Sequence, residues 1–308
     1  MPSDAKPKPA PTRAPSFTRA ALDALAEADD FDLAMPCFGD AGMAKAVAHR
    51  PDGGAIPDLS DKPKVCFLMA RGRSGKTMIA RWIAETAAAL GGTPLTAALD
   101  QGGRRSLADF IEGVEQPPSA DPAEVSRWLE GLLQHVMRHK LSAVVDFGGG
   151  DTSLGRVLAA VPDLAAALSE SGVECVACYP IAPSIADLSL IATNRAAGFS
   201  PHTLIVENEG LADPTAGEAA GFAGTVERHK AFREACAAGA VVVRAPRLDA
   251  EVVAYIERMR CHFTEARDGI VPDGRKGEPL GVFSRRKAKS WLDRMAERME
   301  PVRSWLPQ

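Results

Sequence analysis

Apolar runs of strand length alternate with longer amphipathic segments along most of the chain. The runs predict strands over 64–70, 94–99, 141–147, 174–181, 202–208 and 240–246. The segments between and after them predict helices over 76–90, 122–139, 153–170, 184–197, 225–238 and 248–265. Several strands are apolar at consecutive positions, which is the pattern of strands that are buried on both faces. The alternation therefore predicts an α/β fold with a mostly parallel central sheet and helices on both faces.

The pattern changes on both sides of this region, and the changes predict domain boundaries. Residues 1–16 are rich in proline and lysine and are predicted to form a disordered tail. Residues 17–63 combine an Ala/Leu-rich helical pattern with a Pro/Gly/Asp linker, which predicts a helical N-terminal extension of the main domain, 64–266. Residues 267–308 are predicted as a basic helical extension, with nine Lys/Arg and five Asp/Glu over 271–308. That charge suits either a solvated helix face or an arm that contacts DNA or an acidic partner.

The composition limits the class of protein without indicating a function. The 308 residues are 46% hydrophobic and 25% charged, and the formal net charge of −4 gives no overall indication of nucleic-acid binding. Three of the six cysteines lie in apolar runs, which is typical of reduced thiols. No segment is long and apolar enough for a transmembrane helix, and the N-terminus lacks the apolar region of a secretory signal. We therefore expect a cytoplasmic protein.

The first predicted strand is followed by a loop with the pattern of a phosphate-binding loop. The stretch Ala70–Thr77 reads ARGRSGKT and ends in the Gly-Lys-Thr of G-x-x-x-x-G-K-[ST]. Between a strand and a helix, the backbone N–H groups of such a loop and the helix dipole bind phosphates. Lys76 is predicted to contact the β- and γ-phosphates, and the Thr77 hydroxyl to bind Mg²⁺. The residues expected to contact the nucleotide are Gly72, Arg73, Ser74, Gly75, Lys76, Thr77 and Met78.

The loop departs from the pattern at its first position, where Ala70 replaces glycine. An alanine there costs about 1 kcal/mol if the backbone requires a positive φ, and little if it does not. Gly75, next to the lysine, is retained where the backbone approaches the phosphate most closely. The departure is therefore compatible with nucleotide binding.

Two acidic residues at predicted strand ends support a nucleotide site. Asp146 ends the strand over 141–147 and opens a D-x-x-G match that ends at Gly149. In phosphate-loop proteins an Asp at this place holds Mg²⁺, and the glycine N–H contacts the γ-phosphate. Asp100 follows the strand over 94–99, at the edge where open α/β sheets bind ligands. It is a candidate for orienting the attacking water or assisting Mg²⁺, or alternatively for a turn residue before a glycine pair. The loop and Asp146 together predict a P-loop NTPase.

These motifs resemble the deviant-Walker-A ATPases of the ParA/MinD type, in the SIMIBI class, whose loop reads K-G-G-x-G-K-[ST]. The resemblance covers about 64–260 and is carried mainly by the loop and by Asp146. It places Arg71 at the lysine that, in the family, reaches across an ATP-bound dimer, and Arg73 at the second glycine. It also implies that Asn208 reads the adenine and that Pro246 lies near the base.

The resemblance implies an Mg²⁺-dependent ATPase switch that forms an ATP-promoted homodimer. Its cargo would be DNA, bound directly or through a DNA-binding adaptor protein, in plasmid partition, plasmid stability or conjugal transfer. In this interpretation Lys76, Asp100 and Arg71 are the catalytic residues, and Thr77 and Asp146 bind the metal. Two alternatives stay open: a small-molecule kinase on a related phosphate-loop core, and an adaptor that binds nucleotide with negligible hydrolysis.

Overall fold

Six strands form one parallel sheet in the computed structural model, which describes residues 48–100, 106–215, 217 and 220–308. The strands are β1 (Lys64–Leu68), β2 (Leu95–Ala98), β3 (Ala143–Asp146), β4 (Glu174–Ile181), β5 (His202–Asn208) and β6 (Val241–Ala245). Their order across the sheet is β2-β3-β1-β4-β5-β6, and each neighbouring pair is parallel. The predicted parallel α/β fold is confirmed. The predicted tail and residues 17–47 of the predicted extension lie outside the described residues.

Helices cover both faces of this sheet, as predicted. They are α1 (Lys76–Ala89), α2 (Pro122–His139), α3 (Ser153–Ala160), α4 (Leu164–Glu170), α5 (Leu188–Ala196), α6 (Lys230–Ala237), α7 (Ala250–Met259), α8 (Phe263–Asp268) and α9 (Val282–Met299). Because successive strand residues point to opposite sides, Cys66 and Leu68 of β1 pack with α1 and α7–α9, whereas Val65 and Phe67 pack with α2–α6. Within the described part of the chain, no helix has the length and apolarity needed to cross a bilayer.

Two segments predicted as single helices are each divided in the structure. Residues 153–170 form α3 and α4, separated at Val161, which has φ −134° and ψ 78°. Val161 precedes Pro162, and the residue before a proline avoids the α region for steric reasons. Residues 248–265 form α7 and α8, because Arg260 adopts a left-handed backbone with φ 50°, a common way for a helix to end.

The helix α9 packs its apolar side onto the core. Trp291, Met295 and Met299 are at most 1% exposed, and the Trp291 indole donates a hydrogen bond to the Pro246 carbonyl oxygen at 2.8 Å. Several basic side chains of this helix form ion pairs within the chain: Lys287 with Asp249, Lys289 with Asp293, and Arg298 with Glu209. The outer side of α9 is therefore partly charge-balanced, and a DNA contact there stays a prediction.

Candidate functional site

The loop between β1 and α1 leads directly into the first turn of that helix. β1 ends at Leu68, α1 begins at Lys76, and Gly75 between them adopts a left-handed conformation with φ 86°. Among the described residues, no side chain caps the N-terminus of α1, whereas the Asp121 carboxylate caps α2 by accepting from two backbone N–H groups. N–H groups at the start of a helix without such an acceptor, together with the helix dipole, favour an anionic ligand.

The alanine at the first position of the loop causes no backbone strain. Ala70 is buried, and it is not among the residues with a positive φ. A glycine would therefore have no conformational advantage at this position. The strain lies instead at Arg73, whose φ is 69° and which stands where the resembled family has its second glycine.

We expect Arg73→Gly to raise the free energy of unfolding by about 1 kcal/mol, because glycine adopts a positive φ without the steric cost that a Cβ brings. For a chain of this size the melting temperature should rise by about 2 °C. Arg71→Gly is the matched control, since Arg71 is also exposed but has no positive φ, and it should not stabilise the protein. Thermal and denaturant unfolding measure both variants. A loss of stability in Arg73→Gly would show that contacts of the arginine outweigh the strain.

Lys76, Thr77 and Asp146 form the charged centre of the site. Because β3 is the direct neighbour of β1, its last residue, Asp146, reaches the start of α1. The Thr77 hydroxyl donates to Asp146 Oδ2 at 2.8 Å, and Lys76 Nζ lies 3.1 Å from Asp146 Oδ1. Burial raises the pKa of the Asp146 carboxyl, while Lys76 and Thr77 oppose that rise. A hydroxyl and a carboxylate side by side are the oxygen donors that Mg²⁺ prefers.

A second loop, which follows β3, packs directly on the first. A Cβ added at Gly149 would lie 2.8 Å from Gly72 Cα, and one added at Gly148 would lie 3.4 Å from Asp100 Cβ. The lack of side chains at these two glycines therefore permits a close approach of three segments. The predicted residues Gly72, Asp100 and Gly149 thus meet at one edge of the sheet, with Asp146 on the strand between β1 and β2.

Asn208 connects the end of β5 to the same loop. Its side-chain Nδ2 donates to the Ser74 carbonyl oxygen at 3.1 Å, and its Oδ1 accepts from the Gly210 N–H at 3.0 Å. The Ser74 hydroxyl oxygen is buried and has no hydrogen-bond partner among the described residues. The loop therefore holds one polar atom that a bound phosphate group could satisfy. The predicted contact of Asn208 with adenine stays a prediction.

The remaining predicted residues lie around this centre. Arg71 and Arg73 are exposed on the loop, and Met78 is half-buried in the first turn of α1. Pro246 is buried at the end of β6, where its carbonyl accepts the hydrogen bond from α9. Since β4 and β5 lie between β6 and β1, Pro246 is the predicted residue farthest from the loop along the sheet.

One buried charge that we did not predict fixes the position of α1. Arg81 is 4% exposed, and its guanidinium carbon lies 3.9 Å from the Phe110 ring centroid and 4.5 Å from that of Phe263. Arg81 Nη2 donates to the Cys261 carbonyl oxygen at 2.8 Å, and Glu85 Oε2 accepts from the Phe263 N–H at 2.7 Å. These contacts hold the helix that begins at the loop against α8. A charged position on an amphipathic helix ordinarily indicates solvent exposure, so the pattern gave no indication of them.

Comparisons with known proteins give distant structural similarity only. No family model matches the sequence, and no curated protein matches it significantly. The crystal structure of FtsY from Mycoplasma mycoides superposes with a TM-score of 0.30 and 12% identity, covering 49% of this chain and 54% of that one. The chain thus spans about half the length of that structure. Chloroplast FtsY from Physcomitrella patens superposes with a TM-score of 0.35 and 13% identity, covering 80% and 70%. At these scores neither similarity identifies a function.

Proposed function

We propose that the chain is an Mg²⁺-dependent, ATP-binding and ATP-hydrolysing switch of the ParA/MinD type. It forms a homodimer with ATP and acts on DNA, directly or through an adaptor protein, in plasmid partition, plasmid stability or conjugal transfer. The observation that carries the proposal is the contact of Lys76 and Thr77 with Asp146 at the uncapped start of α1. A basic and a hydroxyl side chain in this position, opposite a carboxylate on the adjacent strand, suit phosphate groups and Mg²⁺ bound together.

The residues present fit a nucleoside triphosphate with its metal ion. Lys76 would face the β- and γ-phosphates, the Ser74 hydroxyl would find a partner, and Thr77 and Asp146 would hold Mg²⁺. When bound, the ion supplies positive charge that offsets the charge of the phosphates. Among the residues that the structure describes, no group of three or more His, Cys, Asp or Glu side chains is placed to hold a metal.

Two further residues, Asp100 and Arg71, are proposed to take part in the hydrolysis of ATP. Asp100 is half-buried beside the loop that carries Gly149, where a carboxylate can accept a hydrogen bond from water and orient it. Arg71 is exposed, and its guanidinium suits a phosphate group of a second subunit, because arginine binds phosphate in a bidentate manner. The homodimer rests on the resemblance and on this exposed arginine.

Lys76→Ala is the test of the proposal. We expect ATP·Mg²⁺ to bind the wild type, and the variant to bind at least about tenfold more weakly, because hydrogen bonds to charged groups contribute roughly 1.5–3 kcal/mol. Equilibrium titration measures the affinity, and sedimentation with ATP or ADP measures the dimer, which should form with ATP alone. Lys230→Ala is the matched control, since this lysine is exposed on α6. Equal behaviour of wild type and Lys76→Ala would falsify the proposal.

One observation favours the kinase alternative as a second candidate. A cavity of about 270 Å³ lies between Asp100, the glycines after β3 and the start of α2. An acceptor molecule could occupy this cavity beside the nucleotide site, with Asp100 as its base. Phosphate release from ATP in buffer alone supports the switch, whereas release that requires an acceptor and yields a phosphorylated product supports the kinase. Tight ATP binding with neither reaction supports the adaptor.

A further inference from the structure

A separate cavity of about 460 Å³ lies beside the edge strand β6, on the face of the sheet that packs with α6. The buried part of its lining comes from Glu207, Phe232, Cys236 and Val242. None of the predicted nucleotide-site residues lines it. Its volume is in the range of sites that take small organic molecules.

Glu207 lines this cavity with a buried carboxyl group, one oxygen of which lacks a hydrogen-bond donor among the described residues. Its side chain is 1% exposed, its Oε2 accepts from Arg244 Nε at 2.8 Å, and its Oε1 is buried with no hydrogen-bond partner among the described residues. A buried acceptor without a donor costs about 1–3 kcal/mol, and a ligand that supplies the donor would recover that cost. Glu207 therefore favours a ligand with an N–H group.

The charges around Glu207 favour a cation over a neutral donor. Arg244 Nη2 also donates to Glu227 Oε1 at 2.7 Å, so one guanidinium serves two carboxylates. The lining also holds Asp52 and Arg233, whose charges cancel, so the five charged side chains of the cavity carry one net negative charge when all are ionised. Burial raises the pKa of Glu207 to about 7; Arg244 opposes that rise and Glu227 adds to it. A bound cation would hold the Glu207 carboxyl in its ionised form.

The rest of the buried lining is apolar. Phe232, Cys236 and Val242 are each no more than 6% exposed. Burial raises the pKa of the Cys236 thiol to about 11, so this side chain stays neutral at physiological pH. An aliphatic chain gains free energy by leaving water for such a wall, and an aromatic ring attracts a cation placed over its face.

We propose that this cavity binds a small organic cation, whose ammonium or guanidinium group donates to Glu207 Oε1 and whose aliphatic part packs on Phe232 and Cys236. The proposal does not depend on nucleotide binding, because the cavity shares no residue with the loop between β1 and α1.

The experiment uses n-butylammonium chloride as the probe, with the full chain and no nucleotide. Isothermal titration should show saturable binding of one n-butylammonium per chain, and thermal unfolding should show a higher melting temperature with the probe. We expect Glu207→Gln to weaken binding by at least about tenfold, because the variant keeps the shape of the side chain and removes its charge. Glu234→Gln is the matched control: Glu234 is an exposed glutamate on α6, the helix that carries Phe232 and Cys236, but it does not line the cavity, so this variant should bind the probe as the wild type does.

A second variant keeps the test decisive if Glu207→Gln does not fold. Ala237 is exposed at the end of α6 and lines the cavity, so Ala237→Phe should obstruct access without disturbing the core, and binding should be lost. n-Butanol, which has the aliphatic part without the charge, should bind at least about tenfold more weakly than n-butylammonium. Absence of n-butylammonium binding at millimolar concentration, equal binding of n-butanol, or full binding by a folded Glu207→Gln or Ala237→Phe would overturn the proposal.

Discussion

Trp291→Ala should lower the free energy of unfolding by about 3–5 kcal/mol, the usual cost of truncating a large buried aromatic side chain. Trp291 is 1% exposed, its ring centroid lies 4.9 Å from that of Phe263, and its indole N–H donates to the Pro246 carbonyl. The variant therefore loses the packing of α9 against α8 and leaves a buried carbonyl oxygen without this donor. Urea denaturation followed by circular dichroism measures the change.

Trp291→Phe separates the two contributions. Phenylalanine keeps most of the ring contact with Phe263 and removes the hydrogen bond, so the loss should be about 1–2 kcal/mol. A loss below about 1 kcal/mol for Trp291→Ala would show that α9 contributes little to the core.

Gly75→Ala should lower the free energy of unfolding by about 2–3 kcal/mol and weaken ATP binding by at least about tenfold. Gly75 has φ 86°, and a Cβ added there would lie 2.2 Å from Asn208 Nδ2. The Asn208 side chain must then move, which breaks its hydrogen bond to the Ser74 carbonyl oxygen. Denaturant unfolding measures the first effect, and equilibrium titration with ATP·Mg²⁺ measures the second.

Gly72→Ala is the matched control for this substitution. It lies in the same loop, its φ is not positive, and a Cβ added there meets no atom within 4 Å, so stability should change by less than about 0.5 kcal/mol. The double variant Gly75→Ala/Asn208→Ala removes the steric overlap and keeps the left-handed φ. The difference in the free energy of unfolding between this double variant and Asn208→Ala alone therefore measures the cost of the left-handed φ without the overlap. If Gly75→Ala bound ATP as the wild type does, the loop would not be the phosphate site.

The sequence predicted the sheet well because its strands are buried on both faces. Consecutive apolar positions mark all six strands within a few residues of their observed ends, and the alternation with helices is the usual mark of parallel strands. Asp146 and the loop could be associated in advance for the same reason, since Asp146 ends β3, the loop follows β1, and the two strands end at one edge of the sheet. The division of the predicted helix over 153–170 could also have been predicted, because the proline at 162 disfavours the α conformation at Val161.

The contacts that could not be predicted join residues that are distant in sequence. Nothing local in the stretch around Arg81 indicates that Phe110 and Phe263 will enclose its guanidinium. Likewise, Glu207 lies near the end of the apolar strand β5, but its partner Arg244, and Glu227, which pairs with the same guanidinium, come from later segments. Local pattern fixes which residues form helices and strands, whereas the partners of a buried charge depend on how the whole chain packs.

The position of α9 has a consequence for how the chain folds during synthesis. Trp291, Met295 and Met299 complete the apolar layer over one face of the sheet, yet they are among the last residues of the described chain to leave the ribosome. The opposite face can be covered by α2–α6 much earlier. Strand β1 also cannot form its hydrogen bonds within the sheet until β3 and β4, its neighbours on either side, have been synthesised. Before α9 is made, only α1, α7 and α8 cover that face, so the nascent chain has part of one apolar face in water, a state that folds slowly and is prone to aggregate.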